Sequence, residues 1–178
     1  MALSTAQKGV LRGMAFASVM TLGLFFAVVL IEPPFPPVPA STDAGKLASV
    51  LAWDIIVLAV VVVQVGAIAR HRFFTPADIN GGGLTVGTTK ARTMQSVLQK
   101  SVEQAFLAIG AHLVWAVSAP DKWRAWLPVA VALFVVGRVL FWRGYSKGAA
   151  ARAFGFALTF YPTVLTLAAA GVMQLMPI

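Results

Sequence analysis

The residues best suited to chemistry lie in the segment 137–162, between two long apolar stretches. Four cations and a tyrosine occur close together there: Arg138, Arg143, Tyr145, Lys147 and Arg152. Guanidinium groups bind carboxylates and phosphates through paired hydrogen bonds, and a charge at the edge of an apolar span is rarely kept without a use. The segment therefore predicts a site for an anionic ligand, with glycines that permit close helix packing.

A second polar stripe lies upstream of this segment. Arg92, Ser96, Lys100 and Glu103 are spaced at i, i+4, i+8 and i+11, which places them on one face of a helix. Lipid does not accept Lys100 and Glu103 about two to three turns deep, so this face is predicted to look inward. Two interpretations stay open, a Lys–Glu pair that only joins helices and the wall of a polar ligand site.

The composition defines the elements that must position these residues. The chain of 178 residues is 59% hydrophobic and 11% charged, which is more apolar side chain than a soluble domain of this size can cover. Apolar runs of about 18 residues or more indicate spanning helices. The sequence therefore predicts an all-α integral membrane protein with five transmembrane helices, at 8–31, 47–70, 91–118, 123–143 and 150–175.

The cations are distributed unequally between the two sides of such a bundle. One side holds Lys8, Arg12, Arg70, Arg72, Lys90, Arg92, Arg143, Lys147 and Arg152, and the other holds Lys46, Lys122 and Arg124. The cation-rich side, with the N-terminus, is predicted to be cytoplasmic. The cations cluster at helix ends, which argues against nucleic-acid binding despite the net charge of +8. Because cysteine is absent, any reactive thiol must belong to a ligand.

The chain divides into an N-terminal anchor helix with a Pro-rich linker, 1–46, and a four-helix membrane domain, 47–178. The anchor is interpreted as retained because its apolar run is longer than that of a typical signal peptide. Asp54 and His112 lie at similar depths on neighbouring helices, so we expect them to bond to each other. No metal site is predicted, since His71 and His112 fall near opposite membrane faces.

These residues resemble the membrane-associated proteins in eicosanoid and glutathione metabolism, the MAPEG family, in a divergent bacterial-type form. Its later signature is similar to Gly137-Arg138, Phe141, Gly144-Tyr145 and the arginine seven residues on, Arg152. Segment 98–104 resembles a family helix in which a leucine, a glutamine and an asparagine precede a glutamate, here Glu103. The segment 69–71 resembles the basic end of the family's first helix. The match runs from about residue 53 to the C-terminus.

The resemblance implies a MAPEG-like four-helix bundle, plus one extra N-terminal transmembrane helix on the outside of a homotrimer. Glutathione would bind between neighbouring subunits near the cytoplasmic face. Glu103, Arg138 and Tyr145 would hold it, and Arg70 would help to hold its carboxylates. Arg152 would stabilise the thiolate, because a nearby cation favours the charged form of a thiol.

Three positions depart from the family pattern. Lys100 replaces the family's asparagine, Ser96 replaces an arginine one turn earlier, and Phe141 replaces a tyrosine. One hypothesis is compensation, in which Lys100 binds Glu103 and supplies the cation missing at 96. The alternative is that glutathione binding has been lost.

The favoured function is a membrane glutathione transferase or peroxidase that activates the thiolate against lipophilic electrophiles from the bilayer. The alternative is a non-catalytic membrane scaffold, or a protein that binds an anionic amphiphile. A third interpretation is an ion or proton pathway through Asp54, Lys100, Glu103 and His112. The expected location is the bacterial inner membrane, which the chain would cross several times.

Overall fold

The computed structural model describes residues 3–31, 42–82 and 84–175, and there the chain forms helices joined by turns. The five long helices are α1 (Thr5–Ile31), α2 (Asp43–Phe73), α3 (Thr89–Ser118), α4 (Trp126–Tyr145) and α5 (Ala149–Leu175). Five spans, with α4 counted from Asp121, are long and apolar enough to cross a membrane. The all-α prediction is confirmed. The Pro-rich linker predicted at 32–39 lies outside the described residues.

Capping residues explain why α2 and α3 begin earlier than the predicted starts at 47 and 91. Thr42 accepts a hydrogen bond from the Gly45 amide at 3.2 Å, and Thr88 accepts one from the Ala91 amide at 3.2 Å. A threonine at the N-cap satisfies an amide that has no partner inside the helix. The predicted fourth span at 123–143 lies within the observed span Asp121–Tyr145, in which a 3-10 turn, Asp121–Trp123, precedes α4.

Glycines allow α4 and α5 to pack in close backbone contact. A Cβ at Gly137 would lie 2.6 Å from Thr159 Cγ2 and 2.9 Å from the Gly155 carbonyl oxygen. A Cβ at Gly144 would overlap the Ala151 carbonyl, and one at Gly155 would overlap the Phe141 amide. Small residues at such crossings permit the backbone approach that holds membrane helices together.

The extra helix α1 packs along α5 and is part of the bundle. A Cβ at Gly9 would lie 2.6 Å from Ala150 Cβ, and one at Gly13 would lie 3.0 Å from the Phe154 amide. At its other end, the Phe25 ring lies 5.1 Å from Trp126 and 6.1 Å from Trp115. These glycine and ring contacts join α1 to α3, α4 and α5, so α1 contributes to the packed core.

We predict that Gly155→Ala destabilises the protein, because the added methyl group would force α4 away from α5. Overpacking of this kind costs about 1–3 kcal/mol. Thermal denaturation in detergent measures the effect. Gly171→Ala is the matched control in the same helix, because a Cβ there meets nothing within 4 Å. The close approach is refuted if the two variants melt at the same temperature.

Candidate functional site

Arg152 and Tyr145 meet where α4 passes into α5. The Arg152 guanidinium carbon lies 4.4 Å from the centroid of the Tyr145 ring, and both residues are partly exposed. Gly148, with φ +101°, lies in the turn between the two helices, in a conformation that favours glycine. In the part of the chain that the structure describes, no carboxylate pairs with Arg152. Its charge therefore stays available to an anion.

Arg138 is fully buried inside the protomer, at 0% exposure. Its Nη2 donates to Thr159 Oγ1 at 2.5 Å, its Nη1 donates to the Lys100 carbonyl oxygen at 3.4 Å, and its guanidinium lies 4.5 Å from the Phe141 ring centroid. These contacts join α3, α4 and α5. Within the described ranges the guanidinium has no carboxylate partner, and its Nε has no hydrogen-bond partner.

Lys100 and Glu103 form an ion pair on α3, with Nζ 2.8 Å from Oε2. This confirms the predicted pairing. Gln99 also donates to Glu103 Oε1 at 3.2 Å. The Lys100 and Glu103 side chains are 45% and 44% exposed, and Glu103 lies at the middle of this 30-residue helix. The pair thus occupies an uncovered face of a helix of spanning length.

Arg70 lies apart from the other predicted site residues. It is exposed near the end of α2, and its guanidinium carbon lies 5.8 Å from the centroid of the Phe74 ring. The structure brings together Arg152 with Tyr145, Lys100 with Glu103, and Arg138 with the Lys100 backbone. Within one protomer it does not bring Arg70 to any of them.

The predicted bond between Asp54 and His112 is confirmed. His112 Nδ1 lies 2.7 Å from Asp54 Oδ1, and both residues are buried. Along α3, Ala105 and Ala108 separate this pair from Glu103, and both alanines belong to an apolar cluster with Val57 and Phe134. The Asp54–His112 bond joins α2 to α3 inside the bundle.

The family model described as MAPEG family matches residues 47–172, well over half of the chain. The chain belongs to the MAPEG family. No curated protein and no solved structure is significantly similar to it. The match includes α2 to α5 almost completely and therefore contains every predicted site residue, whereas α1 lies outside it.

The MAPEG domain also contains a polar cluster that sequence reasoning missed, in the loop between α2 and α3. Asp78 accepts hydrogen bonds from the Thr88 amide and from the Thr88 hydroxyl, both at 2.7 Å, and its Oδ2 lies 3.0 Å from His71 Nε2. These bonds hold the pKa of Asp78 below its ordinary value of 3.8, with the Thr88 amide as the largest cause. Asp78 thereby ties the end of α2 to the start of α3.

Thr159 was missed as well. Its hydroxyl is the closest polar partner of Arg138, and it also donates to the Phe156 carbonyl oxygen at 2.8 Å. A single threonine is a weak signal in this helix, because α5 contains three of them, Thr159, Thr163 and Thr166. Its position twenty-one residues after Arg138 became meaningful only when the packing of α4 on α5 was known.

We predict that Asp78→Asn lowers the thermal stability at neutral pH, because the amide cannot accept these bonds as a carboxylate does. The pKa of Asp78 is lower in the folded state, so its stabilisation is present above pH 3.8 and is lost as pH falls through the lowered pKa. Melting curves in detergent from pH 7 to pH 3 should therefore converge for wild type and variant. Parallel curves over that range would contradict the role of Asp78.

Proposed function

We propose that this MAPEG protein is a glutathione-dependent transferase or peroxidase that acts on lipophilic electrophiles dissolved in the bilayer. The observation that carries the proposal is the guanidinium of Arg152, held against the Tyr145 ring without a carboxylate partner among the described residues. A cation that is positioned but not neutralised favours the thiolate form of a bound thiol. The chain has no cysteine, so the ligand must supply the thiol.

The residues around the site fit the chemistry of glutathione, which carries two carboxylates, one ammonium group and one thiol. Arg70 and Lys100 offer cations for the carboxylates. Glu103 offers the anion that an ammonium group requires, and Tyr145 offers a hydroxyl. When bound, glutathione supplies the nucleophilic sulfur, and Arg152 stabilises its negative charge. The contact of Arg138 with glutathione stays a prediction, because its guanidinium bonds Thr159 and the Lys100 backbone.

Arg138 still affects an anion that binds near Lys100. Its charge is buried and has no carboxylate partner among the described residues, and burial of an unpaired ion is costly. In a low-dielectric interior such a charge acts over a longer distance than it does in water. We infer that Arg138 raises the positive potential near Lys100. It thereby replaces the positive charge that Lys100 loses to its ion pair with Glu103.

We further propose a homotrimer with α3 along its inner wall. Lys100 and Glu103 are uncovered in the protomer, halfway along a spanning helix, and lipid would not accept them. A neighbouring copy can cover this face. Arg70 supports the same arrangement, because it is exposed and makes no contact with the rest of its own site. In a trimer, Arg70 would reach the site of a neighbouring subunit.

The second candidate is a non-catalytic scaffold with the same fold. It is favoured by the ion pair between Lys100 and Glu103, which already satisfies both charges without a ligand. It is also favoured by Phe141, which is buried beneath Arg138 and offers no hydroxyl. Glutathione binding separates the two candidates. A wild-type protein that binds no glutathione at millimolar concentration would leave only the scaffold.

We predict that Arg152→Leu slows conjugation of a model electrophile by about 10²-fold or more, while glutathione affinity changes less. The reason is that a charge near the sulfur acts mainly on the reacting group, and removal of one such electrostatic contact typically costs about 10²–10³ in rate. Steady-state kinetics and calorimetric titration measure the two effects. Arg143→Leu is the control, because Arg143 is exposed at the end of α4. An unchanged turnover rate in Arg152→Leu would exclude this role.

The proposed homotrimer predicts the mass of the native assembly. Native mass spectrometry in mild detergent should give three copies of the chain for the wild type. Glu103→Leu should alter the proportion of trimer, because it leaves Lys100 unpaired at the subunit interface. Arg124→Leu is the control, because Arg124 pairs with Asp121 at the turn before α4, away from Glu103. Detection of monomers alone for the wild type would refute the proposed assembly.

A further inference from the structure

A cavity of about 350 Å³ lies where the loop between α2 and α3 meets the first turns of α3. Its walls come from the end of α2, from the glycine-rich part of the loop and from one face of α3. The lining includes Arg72, Asp78, Val86, Arg92, Gln95 and Ser96. The cavity lies nearer the start of α3 than the Lys100–Glu103 pair, and Arg152 and Tyr145 do not line it.

The cavity is electropositive because its two arginines have only neutral partners. Arg72 Nη2 donates to Gln95 Oε1 at 3.0 Å, and Arg92 Nη2 donates to Thr89 Oγ1 at 3.4 Å. Neither guanidinium pairs with a carboxylate within the described ranges. The one carboxylate in the lining, Asp78, is already bonded to Thr88 and His71. Two guanidinium groups therefore remain able to bind an anion.

The loop and the end of α2 also expose large apolar side chains, of which Val86 lines the cavity itself. The exposed fractions are 72% for Phe73, 70% for Phe74, 54% for Ile79, 83% for Leu84 and 81% for Val86. The loop joins two helices of spanning length, so it lies at a membrane surface. A cationic cavity with an apolar rim at this level matches the two parts of a lipid, an anionic headgroup and its acyl chains.

We propose that this cavity binds the phosphate headgroup of an anionic phospholipid from the adjacent leaflet. Arg72 and Arg92 bind the phosphate oxygens, and the apolar rim contacts the upper parts of the acyl chains. A free phosphate shares the headgroup chemistry but gains nothing from the rim. The Asp78 contacts with Thr88 and His71 hold the two walls in place, so the cavity exists before the lipid arrives. None of the residues proposed to hold glutathione lines this cavity, and Ser96 lies one turn before Lys100 on the same face of α3.

Purified protein in detergent should be titrated with short-chain phosphatidylglycerol, short-chain phosphatidylcholine and glycerol phosphate, with binding followed by native mass spectrometry. We expect the wild type to bind phosphatidylglycerol about tenfold more tightly than either of the others. Arg72→Gln and Arg92→Gln should each weaken that binding about tenfold, because each loses a charge-assisted contact to phosphate. Arg143→Gln, which removes an exposed cation outside the cavity, should bind as the wild type does.

Ser96→Glu provides an independent variant, because it leaves both arginines in place and adds a carboxylate to the cavity wall. It should weaken phosphatidylglycerol binding as strongly as the arginine variants. The proposal is overturned if the Arg72, Arg92 and Ser96 variants all keep wild-type affinity. It is also overturned if glycerol phosphate binds as tightly as the lipid. Glutathione binding is measured separately on the same proteins. If the wild type binds the lipid but not glutathione, the lipid site is supported and the proposed glutathione function fails.

Discussion

The close contact between α4 and α5 is the constraint on which the rest of the structure depends. It exists because Gly137, Gly144 and Gly155 carry no side chain at the crossing. As a result, Arg138 reaches Thr159 on the facing helix, and the short turn after α4 brings Arg152 over Tyr145. A larger residue at any of the three glycines would separate these partners, so the same contact supports the fold and forms the site.

The charges of the protomer are distributed in a way that favours anionic ligands. Arg72, Arg92, Arg138 and Arg152 have neutral or aromatic partners in the part of the chain that the structure describes, and none has a carboxylate. Unpaired cations in or near an apolar phase are costly, so their retention favours a use in binding. Two separate regions result, one near the turn between α4 and α5 and one in the loop between α2 and α3.

The sequence predicted the parts of the structure that depend on short-range pattern. The five spans followed from apolar length, and the ion pair of Lys100 with Glu103 followed from their spacing on one helix face. The bond between Asp54 and His112 followed from similar depth in adjacent helices. The Asp78 contacts and the Arg138–Thr159 bond were missed, because they depend on loop geometry and on which helix faces meet. The packing of α1 on α5 was not predictable from composition alone.

Arg152 is proposed to stabilise a glutathione thiolate, and the pKa of the bound thiol is the measurement that decides this role. The ultraviolet absorbance of the thiolate should be followed as pH is raised, with the detergent-purified protein saturated with glutathione. We expect a thiol pKa of about 7 in the wild type, below the ~8.5 of an ordinary thiol, and a return towards that value in Arg152→Leu. If the bound thiol has the same pKa in both proteins, Arg152 does not stabilise the thiolate.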